Sequence, residues 1–154
     1  MTKIIFSFIN VGLVFVYAIG SGLWVNTGDG FYRSLKRPSW QPPDFIFGIA
    51  WPYNFLVLII VGIFIANNSG NFSRIIYSIL FALSVATALL WAHSFYIQHN
   101  LLLAWIALLI TALLTIPMVI IAFQTQSWAG LILLPYLLWL FTATSLSFGY
   151  YWLN

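Results

Sequence analysis

Three aromatic side chains recur at intervals of four residues near the start of an apolar stretch: Phe47, Trp51 and Phe55. Residues four apart stack along one face of an α-helix, so these rings are expected to form a continuous wall. Pro52 lies beside this wall, and a proline there frees a backbone carbonyl one turn earlier and tends to kink the helix. An aromatic wall next to a kink predicts a pocket, and stacking on flat rings is the chemistry that such a pocket offers.

Groups for ordinary catalysis are scarce in this sequence. The acidic residues are Asp29 and Asp44, both in or beside one polar segment, and there is no cysteine. No serine, histidine and acid constellation can be assembled from them, and the chain has no glycine-rich phosphate loop. The chain therefore has few side chains that could act as a catalytic acid, base or nucleophile, and the absence of cysteine excludes thiol chemistry.

The composition is that of a membrane protein. Of 154 residues, 63% are hydrophobic and 5% are charged, and the segment from residue 75 to residue 154 has no Asp, Glu, Lys or Arg. A net charge of +3 from so few residues is not the footprint of a nucleic-acid-binding protein. The first apolar run is longer than the roughly 7 to 15 residues of a signal peptide's apolar region, so we expect it to be a true spanning helix.

Five apolar runs have the length of about 20 residues that a spanning helix needs. Because these runs are apolar at both odd and even positions, they do not fit the strands of a membrane barrel, in which apolar and polar residues alternate. The sequence therefore predicts an all-α integral membrane protein, a five-transmembrane-helix bundle forming a single domain over residues 1–154. The predicted helices are about 4–25, 46–67, 75–97, 101–123 and 129–152.

The segment 26–45 is the long connection, and it separates the first two predicted helices. Its aromatic residues favour an ordered loop that covers the bundle like a lid. Pro42 and Pro43 suit the first turn of the helix that follows, where the backbone amides are unpaired anyway. Trp40 would then lie at the lipid headgroups, so a helix start with an interfacial anchor is the simpler alternative to a pocket.

The few cations predict an orientation. With five spans, Lys3 and Arg74 lie on one side of the membrane, and Arg33, Lys36 and Arg37 lie on the other. The positive-inside tendency then places the long loop and the C-terminus in the cytoplasm, with the N-terminus outside.

The segments RPSWQPP and FIFGIAW, with LLPYLLWLFTATSL in the last helix, closely resemble the signatures of the tryptophan-rich sensory protein family, TspO/MBR. Its mitochondrial relative is the translocator protein, also called the peripheral-type benzodiazepine receptor. The resemblance covers nearly the whole chain, and it implies a receptor-like protein in a bacterial cell membrane. It also implies a cavity open toward the first loop that binds porphyrin or haem as a ligand, with no obligatory cofactor. The ligand-lining positions implied by this resemblance are Tyr32, Pro42, Trp51, Phe55, Ala88, Trp91, Trp139 and Ala143.

Two departures from the family pattern bear on the ligand. Many members have asparagine where this chain has Ala88 and Ser147, so the polar contacts to a ligand are expected to differ. In the last helix, Leu146 and Tyr150 fit part of a cholesterol motif, but no Lys or Arg follows them, and cholesterol binding is not supported.

His93 is expected inside a span, where polar groups are costly. It is either an axial ligand to haem iron or a neutral histidine that hydrogen-bonds to a neighbouring helix. His99, six residues on, would not share its face, so a two-histidine metal site is not expected.

A stripe of small residues, Ser84, Ala88 and Ala92, recurs every four residues. Such a stripe lets membrane helices approach closely, either inside the bundle or at the seam of a homodimer. Family resemblance favours the dimer. Two further roles stay open besides binding: transport of porphyrin across the bilayer, and light-dependent porphyrin breakdown with Trp51 and Trp139 as the residues involved.

Overall fold

The computed structural model describes residues 2–154, which form six helices. Five are long and apolar enough to cross a membrane, and the sixth is a single short turn in the first loop. The predicted fold class, an integral membrane bundle of five spanning helices, is therefore confirmed. The helices are α1 (Thr2–Trp24), α2 (Gly30–Ser34), α3 (Asp44–Asn68), α4 (Asn71–Tyr96), α5 (Leu101–Thr125) and α6 (Ser127–Leu153).

The spanning helices form a closed ring in which α1 contacts α3 and α4, α4 contacts α5, α5 contacts α6, and α6 contacts α3. The loops after the second, third and fourth spans are short, which predicts that the helices they join pack side by side. This prediction is wrong for α3 and α4, which make few contacts with each other because α1 lies between them. The short connection Ser69–Gly70 keeps the end of α3 close to the start of α4.

Close approaches and hydrogen bonds hold the ring together. Asn10 on α1 donates to the carbonyl of Gly62 on α3 at 3.0 Å, and a Cβ at Gly62 would lie 3.0 Å from the Cβ of Asn10. Only glycine allows the two helices to come this close without strain. At the next interface of the ring, the hydroxyl of Tyr53 on α3 donates to the carbonyl of Ile132 on α6 at 2.8 Å.

The third span begins earlier than predicted and includes Arg74. We expected the helix to begin after this cation, but α4 begins at Asn71 and includes it. The Arg74 side chain is 3% exposed, and its guanidinium donates to the Asn71 side chain and to the Ser69 carbonyl, each at 2.8 Å. A buried charge is tolerated when hydrogen bonds compensate it. Here both terminal nitrogens of Arg74 are bonded at the junction of two helices, while its Nε has no partner within residues 2–154.

The long loop and the C-terminus lie at the same end of the bundle. The backbone N–H of Lys36 donates to the Asn154 side chain at 2.8 Å, and the Asn154 side chain donates back to the Lys36 carbonyl at 3.2 Å. This arrangement follows from the odd number of spans: the first loop and the C-terminus both lie at the end of the bundle opposite the N-terminus. Which side of the membrane this end faces stays a prediction.

Candidate functional site

A cavity of about 500 Å³ lies at the loop end of the bundle, between α3, α4 and α6 and beneath the first loop. This volume is within the roughly 300–1,000 Å³ typical of small-molecule pockets. Most of its wall is apolar and aromatic, and its aromatic side chains are Tyr32, Phe47, Trp51, Trp91, Phe95, Tyr96, Trp139 and Tyr150.

Tryptophans from three helices form the deep walls. The rings of Trp51 on α3 and Trp91 on α4 stack with centroids 6.4 Å apart and planes 22° apart. Trp139 on α6 contacts Phe47 edge-on, with centroids 5.2 Å apart. Tyr17 on α1 supports Trp51 from behind, edge-on at 6.0 Å. Such contacts hold the rings at fixed angles, so the parts of the rings that line the cavity offer a fixed surface for a flat ligand.

The polar groups of the cavity gather at its loop edge. The Tyr150 hydroxyl on α6 donates to the side-chain oxygen of Gln41 and shares a hydrogen bond with the Tyr32 hydroxyl at 3.3 Å. The guanidinium of Arg37 lies over the Tyr32 ring, 5.6 Å from its centroid, and 3.5 Å from a carboxylate oxygen of Asp44. The cavity is therefore amphipathic, with an aromatic body and a polar edge.

Three buried polar atoms of lining residues make no hydrogen bond within residues 2–154: the indole nitrogens of Trp91 and Trp139 and the Ser147 hydroxyl. Buried groups of this kind are costly unless something pairs with them. Pro52 adds an acceptor, because it has no N–H to donate to the carbonyl of Gly48, which also lines the cavity. The walls thus offer polar contacts beside their stacking faces.

The loop covers the cavity as a lid with several attachments. Asp29 caps α2 by accepting from the Tyr32 N–H at 2.7 Å. Phe31 stacks on His99, in the connection between α4 and α5, with ring centroids 3.7 Å apart. Pro38 is buried, and together with Trp40 it packs so closely on Gly149 of α6 that a Cβ at Gly149 would meet both. The predicted ordered loop is present, and it contains a helix that we did not predict.

The structure brings five of the predicted ligand-lining residues to the cavity: Tyr32, Trp51, Trp91, Trp139 and Ala143. Three others lie elsewhere. Phe55 stacks on Trp51 at 5.7 Å, one turn below the cavity. Pro42 lines an adjoining recess of about 330 Å³, which shares Arg37, Gln41 and Asp44 with the cavity. Ala88 is fully buried in the helix core.

His93 does not line the cavity. Its ring lies edge-on to Trp24 of α1, with centroids 5.1 Å apart, so it faces a neighbouring helix. This position does not support the prediction of an axial haem ligand. No group of three or more metal-binding side chains occurs among residues 2–154.

The small-residue stripe on α4 is an internal contact. Ser84, Ala88 and Ala92 are at most 1% exposed within a single protomer. A second copy cannot reach them, so the predicted dimer seam at these residues is corrected. A homodimer stays a prediction and would require another surface.

The sequence reasoning missed the polar edge of the cavity. Gln41 and Tyr150 are 109 positions apart in the chain, and no local pattern joins them. The signal that could have identified one of the pair is that Gln41 lies within the motif RPSWQPP.

Comparisons with known proteins agree with this architecture. A sequence model of the TspO/MBR family matches residues 8–153. The tryptophan-rich sensory protein of Cereibacter sphaeroides is 27% identical over 120 residues, which cover 78% of this chain and 74% of that protein. The tryptophan-rich protein TspO of Bacillus cereus is 29% identical over 153 residues, covering 99% and 97%. The protein of the same name from Archaeoglobus fulgidus is 34% identical over 139 residues, covering 88% and 87%. With five spanning helices and a match over nearly its whole length, the chain belongs to the TspO/MBR family.

Proposed function

We propose that this protein binds a tetrapyrrole, porphyrin or haem, in the cavity beneath the first loop, as part of a sensor-like role in the membrane. Membership of the family supports a membrane sensor or receptor role. The observation that carries the choice of ligand is the cavity of about 500 Å³ with Trp51, Trp91 and Trp139 in its walls.

The distribution of chemistry in the cavity fits such a molecule. A tetrapyrrole is flat and conjugated, so it gains by stacking against indole faces. Its acidic substituents lie at one edge, and the polar groups of this cavity, Arg37, Gln41 and Tyr150, also lie at one edge. The buried indole N–H groups of Trp91 and Trp139 could donate to polar atoms of the ligand.

The test is a titration with protoporphyrin IX of the protein in nanodiscs, following the porphyrin's fluorescence anisotropy and the quenching of tryptophan fluorescence. The variants are Trp51→Ala and Trp139→Ala. Trp152→Ala is the matched control, because Trp152 is 74% exposed and is not a cavity residue. Loss of one stacking partner should weaken binding by about 2- to 12-fold from the stacking alone, and further through lost contact area.

Saturable binding that both cavity variants weaken and the control leaves unchanged supports the proposal. Non-saturable quenching that is the same in all four proteins means that porphyrin only partitions into lipid. In that case the proposal fails, and RPSWQPP is a helix start with an interfacial anchor.

A further inference from the structure

Arg37 has an unusual position for a membrane-protein cation, at the edge of an aromatic cavity. Its guanidinium carbon is 5.6 Å from the centroid of the Tyr32 ring, and both side chains line the cavity. A guanidinium over an aromatic face is attracted by the electrons of the ring, and this contact helps to orient the charged group. Among the lining residues that the structure describes, Arg37 and Asp44 are the charged ones.

The hydrogen-bonding capacity of Arg37 is mostly unused. A guanidinium has five N–H donors, arranged to hold a carboxylate through two parallel bonds. Within residues 2–154 the Arg37 side chain makes one hydrogen bond, to Asp44 at 3.5 Å, which is long for a charge-assisted bond. The two partners of this ion pair are 50% and 75% exposed, so the pair itself contributes little.

Asp44 is only a partial partner for Arg37, because its carboxylate is also stabilised by its own helix. It is the first residue of α3, and no side chain caps that helix end. A carboxylate in a first turn is stabilised by the unpaired backbone amides and the positive end of the helix dipole. The other acid of the loop, Asp29, is occupied as the cap of α2. Arg37 therefore keeps free donors beside the cavity, and its long ion pair with Asp44 can be exchanged for a second carboxylate.

Resting on the proposed function, we propose that Arg37 is the specificity-determining residue of the cavity: it binds a carboxylate at the edge of the ligand. The site thereby selects flat apolar molecules with an acidic substituent over their neutral esters. A carboxylate placed in the cavity without this partner would lose hydration with no compensating charge, whereas an ester would lose little. Asp44 is then the resident anion with which the ligand competes.

The experiment compares protoporphyrin IX with its dimethyl ester, in nanodiscs of phosphatidylcholine alone so that no anionic lipid competes. The variants are Arg37→Gln and Asp44→Asn, with Arg33→Gln as the matched control, because Arg33 is an exposed cation of the same loop outside the cavity lining. The wild-type protein should bind the diacid about tenfold more tightly than the ester, the lower end for a charge-assisted hydrogen bond at a half-exposed site. Arg37→Gln should remove this preference by weakening the diacid alone, and Asp44→Asn should strengthen the diacid.

Each outcome decides a different point. Saturable binding of both compounds with equal affinity, unchanged by Arg37→Gln, overturns the inference and leaves porphyrin binding intact. Equal weakening of the diacid and the ester by Arg37→Gln also overturns it, because Arg37 would then hold the lid rather than the ligand. An effect of Arg33→Gln as large as that of Arg37→Gln would assign the preference to the overall charge of the loop. Absence of saturable binding by either compound refutes the proposed function itself.

Discussion

Substitution of Gly149 by alanine should loosen the lid without unfolding the bundle. The added methyl carbon would lie 2.7 Å from Cγ of Pro38 and 2.8 Å from Cζ2 of Trp40. Carbon atoms in contact prefer about 3.5–4.0 Å, so the loop must retreat by about 1 Å. The Trp40 ring can rotate, but the Pro38 ring is fixed to the backbone, which must move with it. Overpacking of this kind costs about 1–3 kcal/mol, and opening of the loop should become about 5- to 150-fold more favourable.

Limited trypsin digestion in nanodiscs measures this opening. Within the loop, the cleavable bonds follow Arg33 and Lys36, and their cleavage rate follows the open population when opening is fast relative to cleavage. Gly149→Ala should therefore be cut faster by that same factor, with unchanged helical circular dichroism. Gly22→Ala is the matched control: it lies at the same end of the bundle, and a Cβ there would meet nothing within 4 Å.

A cleavage rate in Gly149→Ala equal to that of the wild type and of Gly22→Ala would refute the reasoning. It would mean that the contact of Pro38 and Trp40 with α6 does not restrain the loop. Loss of helical signal would mean instead that the added methyl group distorts the bundle. That would contradict the expectation that the loop moves and α6 stays in place.

Tyr150→Phe removes the donor to Gln41 and should lower the lid's closing free energy by about 0.5–1.5 kcal/mol, seen as faster loop proteolysis than in a Tyr151→Phe control. Because the chain has no cysteine, Ser34→Cys and Asn68→Cys report orientation directly: in intact cells a membrane-impermeant maleimide should label the second and spare the first, and the reverse would contradict the cytoplasmic placement of the loop. If the protein transports porphyrin, flux into sealed proteoliposomes should exceed that into empty liposomes and fall in Trp51→Ala, whereas binding without flux would argue against transport. If it degrades porphyrin, light and oxygen should give a new absorbing product that Trp51→Ala lacks, and bleaching equal to that in detergent alone would remove this role.

The five spans could be predicted because a bilayer admits few structures. Every backbone polar group must be satisfied within the segment, so a long apolar run becomes a helix whatever its neighbours do. The predicted third span, 75–97, started four residues late because a charge such as Arg74 is normally read as a loop residue. Its actual position depends on acceptors from Ser69 and Asn71, which no hydropathy pattern reveals.

The cavity was only partly predictable, because the spanning helices are apolar on all faces. In such helices hydrophobic periodicity does not indicate which side faces inward. The four-residue spacing of aromatic residues predicted only part of the wall, Phe47 and Trp51, and the other predicted lining residues followed from family resemblance. That resemblance placed Trp51, Trp91 and Trp139 at the cavity. It did not supply Gln41 and Tyr150, whose meeting depends on how the first loop folds back over α6.

The stacked pair Trp51 and Trp91 gives this protein an optical reporter of its own. Indole transitions whose rings lie 6.4 Å apart, with planes 22° apart, couple to each other. The pair should therefore produce a circular dichroism couplet that isolated tryptophans lack. Any molecule that enters the cavity and shifts either ring changes that couplet, even if the molecule is colourless. Occupancy can thus be followed without a label, and candidate ligands that neither absorb visible light nor fluoresce can be screened on the unmodified chain.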